Sequence, residues 1–399
     1  MKRNRIQPYL SVLLAGSLLM GCTVGPVEDI VPEESRPVIL SFGIPNLGVP
    51  ELLTRAGDAS TLSPTPLPPG STIRVGAYFT GNTGSNPQEA AFATTAPSFE
   101  ATYVVGADGS LTPCLVDGNG KQVAGNATDL TVRGGIYDFY AVSPARALQQ
   151  DSDGFYKIMG IPHKEDVMTS FVRGVEVTKN IRQITLGTFR RKCAMVVFNV
   201  ASSPDNALPF NKLYATKLVI GKISSSGAAL IAGADTGIPS TGGAGGTDAQ
   251  VEFAESEFEK VEPASDPDKS GLNKTKGIIL PKDTQPFDVE ITVVRDGDTA
   301  TLKATIDKNI SFDEGKRYIF TLEVKNNESS LLMKVLDWNA IVFLDNNVGG
   351  PDSSRPSDPD INEGIGTTIK VATWTEIPWS GNGEVGGGVS PYSNKYNKE

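Results

Sequence analysis

The residues equipped for chemistry are few. His163 is the only histidine, so any site needing several imidazoles is excluded by counting, and a Ser-His-Asp or Cys-His arrangement would have to be built on this one ring. It follows Ile161-Pro162 and precedes Lys164-Glu165-Asp166, a context that reads as a loop with no catalytic role. Cys114 and Cys193 have a spacing that fits neither a zinc site nor a disulfide framework, and they read as two separate buried thiols. Asp117-Gly118-Asn119-Gly120 and Asp151-Ser152-Asp153-Gly154 look like calcium loops by letter. The glutamate expected at the twelfth position is missing, however, with Pro162 standing there in the second, and turns explain both. Gly381 to Gly386 spells a dinucleotide fingerprint without the helix that must follow it. Carboxylates are plentiful enough for a glycosidase pair. Trp374 and Trp379 could stack on a sugar, while Trp338, in an alternating run, reads as core. The expectation is no enzyme, no metal and no cofactor.

Cys22 carries the one specific chemical signal. Lys2, Arg3 and Arg5 precede the apolar run Val12 to Met20, which ends in Leu19-Met20-Gly21-Cys22. That run is too short to span a bilayer and has the layout of a secretory signal. A cysteine directly after Gly21 makes it a lipoprotein signal, with Cys22 as the acylated N-terminus. Acyl chains bury methylenes at about 0.8 kcal/mol each, enough to anchor the protein to an outer membrane. Residues 1–21 are then the signal peptide and 22–36 a tether.

The elements that follow are short. Gly (42) and Pro (27) are abundant, and period-two apolar runs recur between Gly/Asn/Asp/Pro clusters, the pattern of β-sandwiches. Val38-Leu40-Phe42-Ile44, Ile73-Val75-Ala77-Phe79, Val289-Ile291-Val293 and Ile319-Thr321-Glu323, the last beside Tyr318-Phe320-Leu322-Val324, alternate so that one face enters a core and the other meets water. Asp108-Gly109 and Asp296-Gly297 are placed to turn hairpins. The pattern predicts an all-β chain with an N-terminal sandwich over 37–180, a C-terminal sandwich over 181–346, and a tail over 347–399. The tail opens on a Pro/Ser/Asp/Gly-rich linker, 349–364, and then carries an isolated strand candidate, Ile365-Thr367-Ile369-Val371-Thr373-Thr375-Ile377, that must pair with something else. Acidic residues outnumber basic ones, 46 to 36, and no basic stripe with interleaved aromatics appears, so nucleic acid is not an expected partner.

Several stretches carry a family resemblance. They are the lipobox at Cys22, Leu53-Thr54-Arg55-Ala56, the run Gly134-Gly135-Ile136-Tyr137-Asp138-Phe139-Tyr140-Ala141-Val142-Ser143-Pro144, the turn Gly315-Lys316-Arg317-Tyr318, and Val335-Leu336-Asp337-Trp338. Together they resemble the fimbrillin clan of Bacteroidales fimbrial subunits and outer-membrane lipoproteins. The resemblance implies two transthyretin-like Greek-key β-sandwich domains in tandem with a flexible C-terminal tail. It also implies a structural or accessory subunit of a cell-surface fimbria (pilus) that supports adhesion, assembled with other fimbrial subunits by β-strand addition. An arginine-specific cut between Arg55 and Ala56 would expel the strand Val38, Leu40, Phe42, Ile44. The donor would be either Leu331 to Leu344 or the isolated strand bearing Ile365, Ile369, Val371 and Ile377, the latter favoured because its linker gives it reach. Expected partners are the outer membrane, through the lipid, and a host or bacterial surface receptor. A surface glycan-binding lipoprotein using the tail tryptophans is the alternative. The tail beyond Trp338 departs from the simplest members of the clan.

Overall fold

The computed structural model describes residues 36–47, 65–202, 210–234, 237–238, 249–260, 270–272, 276–324, 329–337, 367–369 and 375–378. The described chain is β throughout, its only helix being the 3-10 turn Glu255–Glu257. The first body has as one layer a six-stranded antiparallel sheet. Its strands run in the order Arg190–Arg191, Met168–Val177, Gly135–Ser143, Thr72–Gly81, Phe99–Val105 and Leu111–Pro113. The facing layer is assembled from the short strands Pro37–Ile39, Ser41–Phe42, Thr131–Arg133 and Gln183–Ile184. Ile73, Val75, Ala77, Tyr137 and Phe139 from the first layer meet Val38, Leu40, Val132, Ile184 and Leu186 in one core. Each buried Val, Leu, Ile or Phe among them contributes about 1.5–3 kcal/mol of transfer free energy. Residues 183–191 therefore stay with the first body, and the second core begins at Ala194.

The second body packs two sheets. One runs Phe258–Lys260, Ser270–Leu272, Ala194–Ser202, Lys316–Val324, Ser329–Asp337 and Thr367–Ile369, with Ile278–Ile279 also paired to Ala194–Ser202. The other runs Gln250–Ala254, Leu213–Gly221, Lys282–Arg295, Asp298–Phe312 and Thr375–Pro378. Arg295 pairs with Asp298 across a two-residue turn in which Asp296 and Gly297 both take positive φ, 50° and 94°. This matches the twist of the flanking strands and is the hairpin that the Asp-Gly signal predicts. Phe198, Phe253, Phe287, Phe312, Tyr318 and Phe320 fill the space between the sheets.

The bodies are joined by a third core. Gly135–Ser143 is buried on both faces: Tyr137, Phe139 and Ala141 point into the first core, and Tyr140 and Val142 point out of its back. Ala194–Ser202 behaves in the same way, sending Val196 and Phe198 into the second core and Met195 and Val197 the other way. The two outward sets meet with Tyr78, Phe92, Ile158, Ile161, Leu230 and Leu280. A three-stranded sheet, Leu148–Gln150, Tyr156–Ile161 and Ala228–Ile231, crosses the seam. A strand covered on both faces reads as a continuous apolar run instead of an alternation, which is the character of Phe139 to Val142.

Candidate functional site: the N-terminal strand and its slot

Residues 37–43 run through the first body's second layer and change partner half-way, Pro37–Leu40 pairing on one side and Ser41–Gly43 on the other. On one side Pro37, Val38 and Ile39 pair antiparallel with Arg133, Val132 and Thr131, and the Leu40 amide donates to the Leu130 carbonyl at 2.9 Å. On the other side Ser41 and Phe42 pair in parallel with Gln183 and Ile184. There the amides of Ser41 and Gly43 donate to the carbonyls of Arg182 and Ile184 at 3.0 and 2.9 Å. Successive amides thus point to opposite neighbours, as the pleat requires. Val38 and Leu40 are 6% and 1% exposed. Phe42 closes the end of the core, with its ring edge-on to Tyr103 at 5.3 Å and to Phe139 at 6.2 Å. The expected inward alternation stops there, because Ile44 is 51% exposed and lies beside the turn at Gly109.

The slot's walls are fixed from behind. The Tyr103 hydroxyl accepts the Leu130 amide at 2.7 Å, tying the receiving strand to the six-stranded sheet. Burial pushes that hydroxyl's pKa up to about 12 against the opposing pull of the Leu130 amide. Below the strand, Leu47 donates to Thr65 and Pro45 accepts from Leu67 at 2.7 and 2.9 Å, with a bridge between Asn46 and Pro66. These contacts close the base of the stretch 48–64. Arg55 and Ala56, in that stretch, and Cys22 lie outside the described residues.

The tail differs from expectation. The isolated strand over Ile365 to Ile377 is instead two short strands on different sheets. Thr367–Ile369 pairs with Ser329–Asp337, Ile369 opposite Leu331, and Thr375–Pro378 pairs with Asp298–Phe312, Ile377 opposite Thr301. Among the described residues each sheet of the second body ends in one of these strands, and a sheet edge is where a further strand can add. Ile365, Val371, Trp338, Trp374 and Trp379 lie outside the described residues. Leu331 to Asp337, the first part of the other donor candidate, pair throughout with Lys316–Val324 and over Leu331–Met333 also with Thr367–Ile369.

The remaining chemistry-bearing residues are structural braces. Asp117 Oδ1 accepts the amides of Asn119 and Lys121, and Asp151 Oδ1 accepts those of Asp153 and Phe155, so both calcium-like loops are turns held by their own first aspartate. Cys114 and Cys193 are buried free thiols, and burial pushes Cys193 up to about 12. His163 is bonded through both ring nitrogens, to Ser224 and Leu280. Sequence reasoning missed Asp138. At 1% exposure it accepts the amides of Ala90 and Gly174 and the Arg173 guanidinium at 2.7–2.8 Å. The available signal was an acid inside an apolar run, since a buried charge is retained only with partners.

The fimbrillin-like family matches residues 34–342. The chain belongs to that family. No curated protein sequence matches it. Among solved structures, a candidate cell adhesion protein from Bacteroides fragilis is 19% identical, over 76% of this chain and 98% of that one, with a TM-score of 0.49. A fimbrial protein from Bacteroides vulgatus is 15% identical, over 67% and 92%, with a TM-score of 0.39. The tip fimbrial protein Mfa3 from Porphyromonas gingivalis is 9% identical, over 68% and 94%, with a TM-score of 0.35. The assignment to the fimbrillin-like family rests on the family match, which spans both bodies.

Proposed function

We propose that this protein is a subunit of a cell-surface fimbria, exported as an outer-membrane lipoprotein through Cys22 and assembled by β-strand addition. The single observation that carries the reading is the position of residues 37–43 between two neighbouring strands. A segment hydrogen-bonded to both and burying Val38 and Leu40 leaves, when removed, two open backbone edges over an apolar slot. An incoming strand satisfies both at once. Cutting between Arg55 and Ala56 separates this strand from the body that holds it, and the lipid leaves with it. The donor is the tail of another copy, bearing Ile365, Ile369, Val371 and Ile377. In one copy the tail strands rest on the second body through ladders of only three and four residues, so their release costs little. The chain works as two sandwich domains, with the boundary between Arg191 and Ala194.

Incubation with an arginine-specific protease, followed by unheated SDS electrophoresis, tests the reading. The expected result is cleavage after Arg55 and an SDS-resistant ladder, with no ladder from Arg55→Ala or from a chain ending at Gly364. Cleavage without any ladder would remove strand addition from the proposal, and a ladder from the truncated chain would assign the donor elsewhere.

A further inference from the structure

We propose that His163 is a pH-sensitive latch between the two bodies, holding the seam closed when neutral and releasing it when protonated. The strip 161–164 extends the polar attachment between the bodies beyond the ladder of Tyr156–Ile161 with Ala228–Ile231. The Ile161 carbonyl accepts the Gly227 amide and the Lys164 amide donates to the Ile278 carbonyl, both at 2.8 Å. Between them the His163 ring spans two segments: Nε2 lies 2.8 Å from the Ser224 carbonyl, and Nδ1 accepts the Leu280 amide at 3.1 Å. Only the neutral tautomer with its proton on Nε2 satisfies both contacts. A second proton on Nδ1 would face the Leu280 N–H, donor against donor. Leu280 is fully buried, so its amide has no water to turn to, and a buried donor without an acceptor is costly.

The surrounding charges leave the imidazolium poorly served. Lys164 is the adjacent residue, and its ammonium holds both oxygens of Glu257 at 2.8 Å. Glu165 is held by Arg146 and Asp166 by Arg191. Lys121 and Arg191 line the same cleft between the bodies, and Lys276 and Lys282 flank Leu280 in sequence. Glu257, Glu165 and Asp166 are thus each engaged by a cation, and burial, reinforced by Lys164, lowers the ring's pKa below its ordinary value.

The sign follows from linkage. An opened seam exposes the ring, which then titrates near its ordinary pKa of about 6.5, whereas the closed seam resists the proton. Below that pH, opening gains about tenfold per pH unit until the closed form itself protonates.

Because the chain has one histidine, one imidazole resonance reports the titration in the intact protein. The expected result is a ring pKa below that of a free histidine. Hydrogen exchange, corrected for intrinsic rates, should show protection of the Leu280 and Gly227 amides falling about fivefold between pH 6.5 and 5.5, while that of Leu130 in the first body stays constant. In His163→Gln the acid-dependent fall should vanish. A ring titrating at or above the ordinary value overturns the latch, as does an undiminished acid response in His163→Gln. Should the variant fail to fold, the wild-type titration and exchange profile decide alone.

Discussion

The chain handles its two ends in opposite ways. Residues 37–43 bridge two strands, their first half paired to one and their second half to the other, with two side chains almost fully buried. The tail strands Thr367–Ile369 and Thr375–Pro378 are appended to sheet edges, each paired on one side only among the described residues. An inserted strand is part of a core, and its loss exposes apolar surface on top of unmade hydrogen bonds. An appended strand contributes a short ladder, offset by the entropy of ordering the segment that carries it, about 1–2 kcal/mol per residue for the backbone. The first end is thus difficult to remove without a cut, and the second can detach unaided.

The sharpest way to break this comparison is at Leu40. Leu40→Asp puts a carboxylate where 1% of the side chain is exposed, among the apolar side chains of the first core. The expected loss is about 4 kcal/mol or more, read as a large fall in the urea midpoint. Ile39→Asp, one residue away at 59% exposure, should shift the midpoint by about 0.5 kcal/mol or less. Equal effects at the two positions would mean that residues 37–43 do not face the core as described. Tyr103→Phe is a milder probe of the slot's wall. It removes the acceptor of the Leu130 amide and should cost about 1–2 kcal/mol. Tyr103 also carries a pH signature. Its hydroxyl is held from 10.0 up to about 12 by burial, so the unfolded chain ionises first and stability declines as pH rises from 10 towards 12. Tyr103→Phe should lose that portion of the alkaline decline.

Much of this architecture was legible in the residues. Ile73-Val75-Ala77 and Val289-Ile291-Val293 alternate because one face meets a core, and all six are buried. Asp296-Gly297 turns a hairpin because both positions need positive φ. The joining core was not legible. Tyr140, Val142, Met195 and Val197 belong to strands covered on both faces, and an unbroken apolar run does not say what covers its second side. Nor was the slot fully legible. Val38 and Leu40 gave the inward face, but the pairing of Ser41–Phe42 with Gln183–Ile184 spans most of the first body and involves two residues on each side, too few to leave a pattern. The tail misled for a related reason: Ile365 to Ile377 alternates like one strand, yet the second body offers two open edges, and the described segments divide between them.

The smallest expected effect is the most discriminating. A chain ending at Gly364 loses both appended strands and should unfold within about 1 kcal/mol of the intact protein, because three and four residue pairs barely offset the ordering entropy of the segment. Its edges, however, are bare. Ser329–Asp337 and Asp298–Phe312 then present unpaired backbone on opposite sheets of the second body, and open edges recruit strands from other molecules. The truncated chain should therefore self-associate more strongly at high concentration than the intact one, measurable by sedimentation velocity, with its urea midpoint almost unmoved. A truncation that destabilised the protein as much as Leu40→Asp would erase the distinction between inserted and appended strands. One that left both midpoint and association unchanged would show that the tail does not shield those edges, and the donor would then have no resting place on its own subunit.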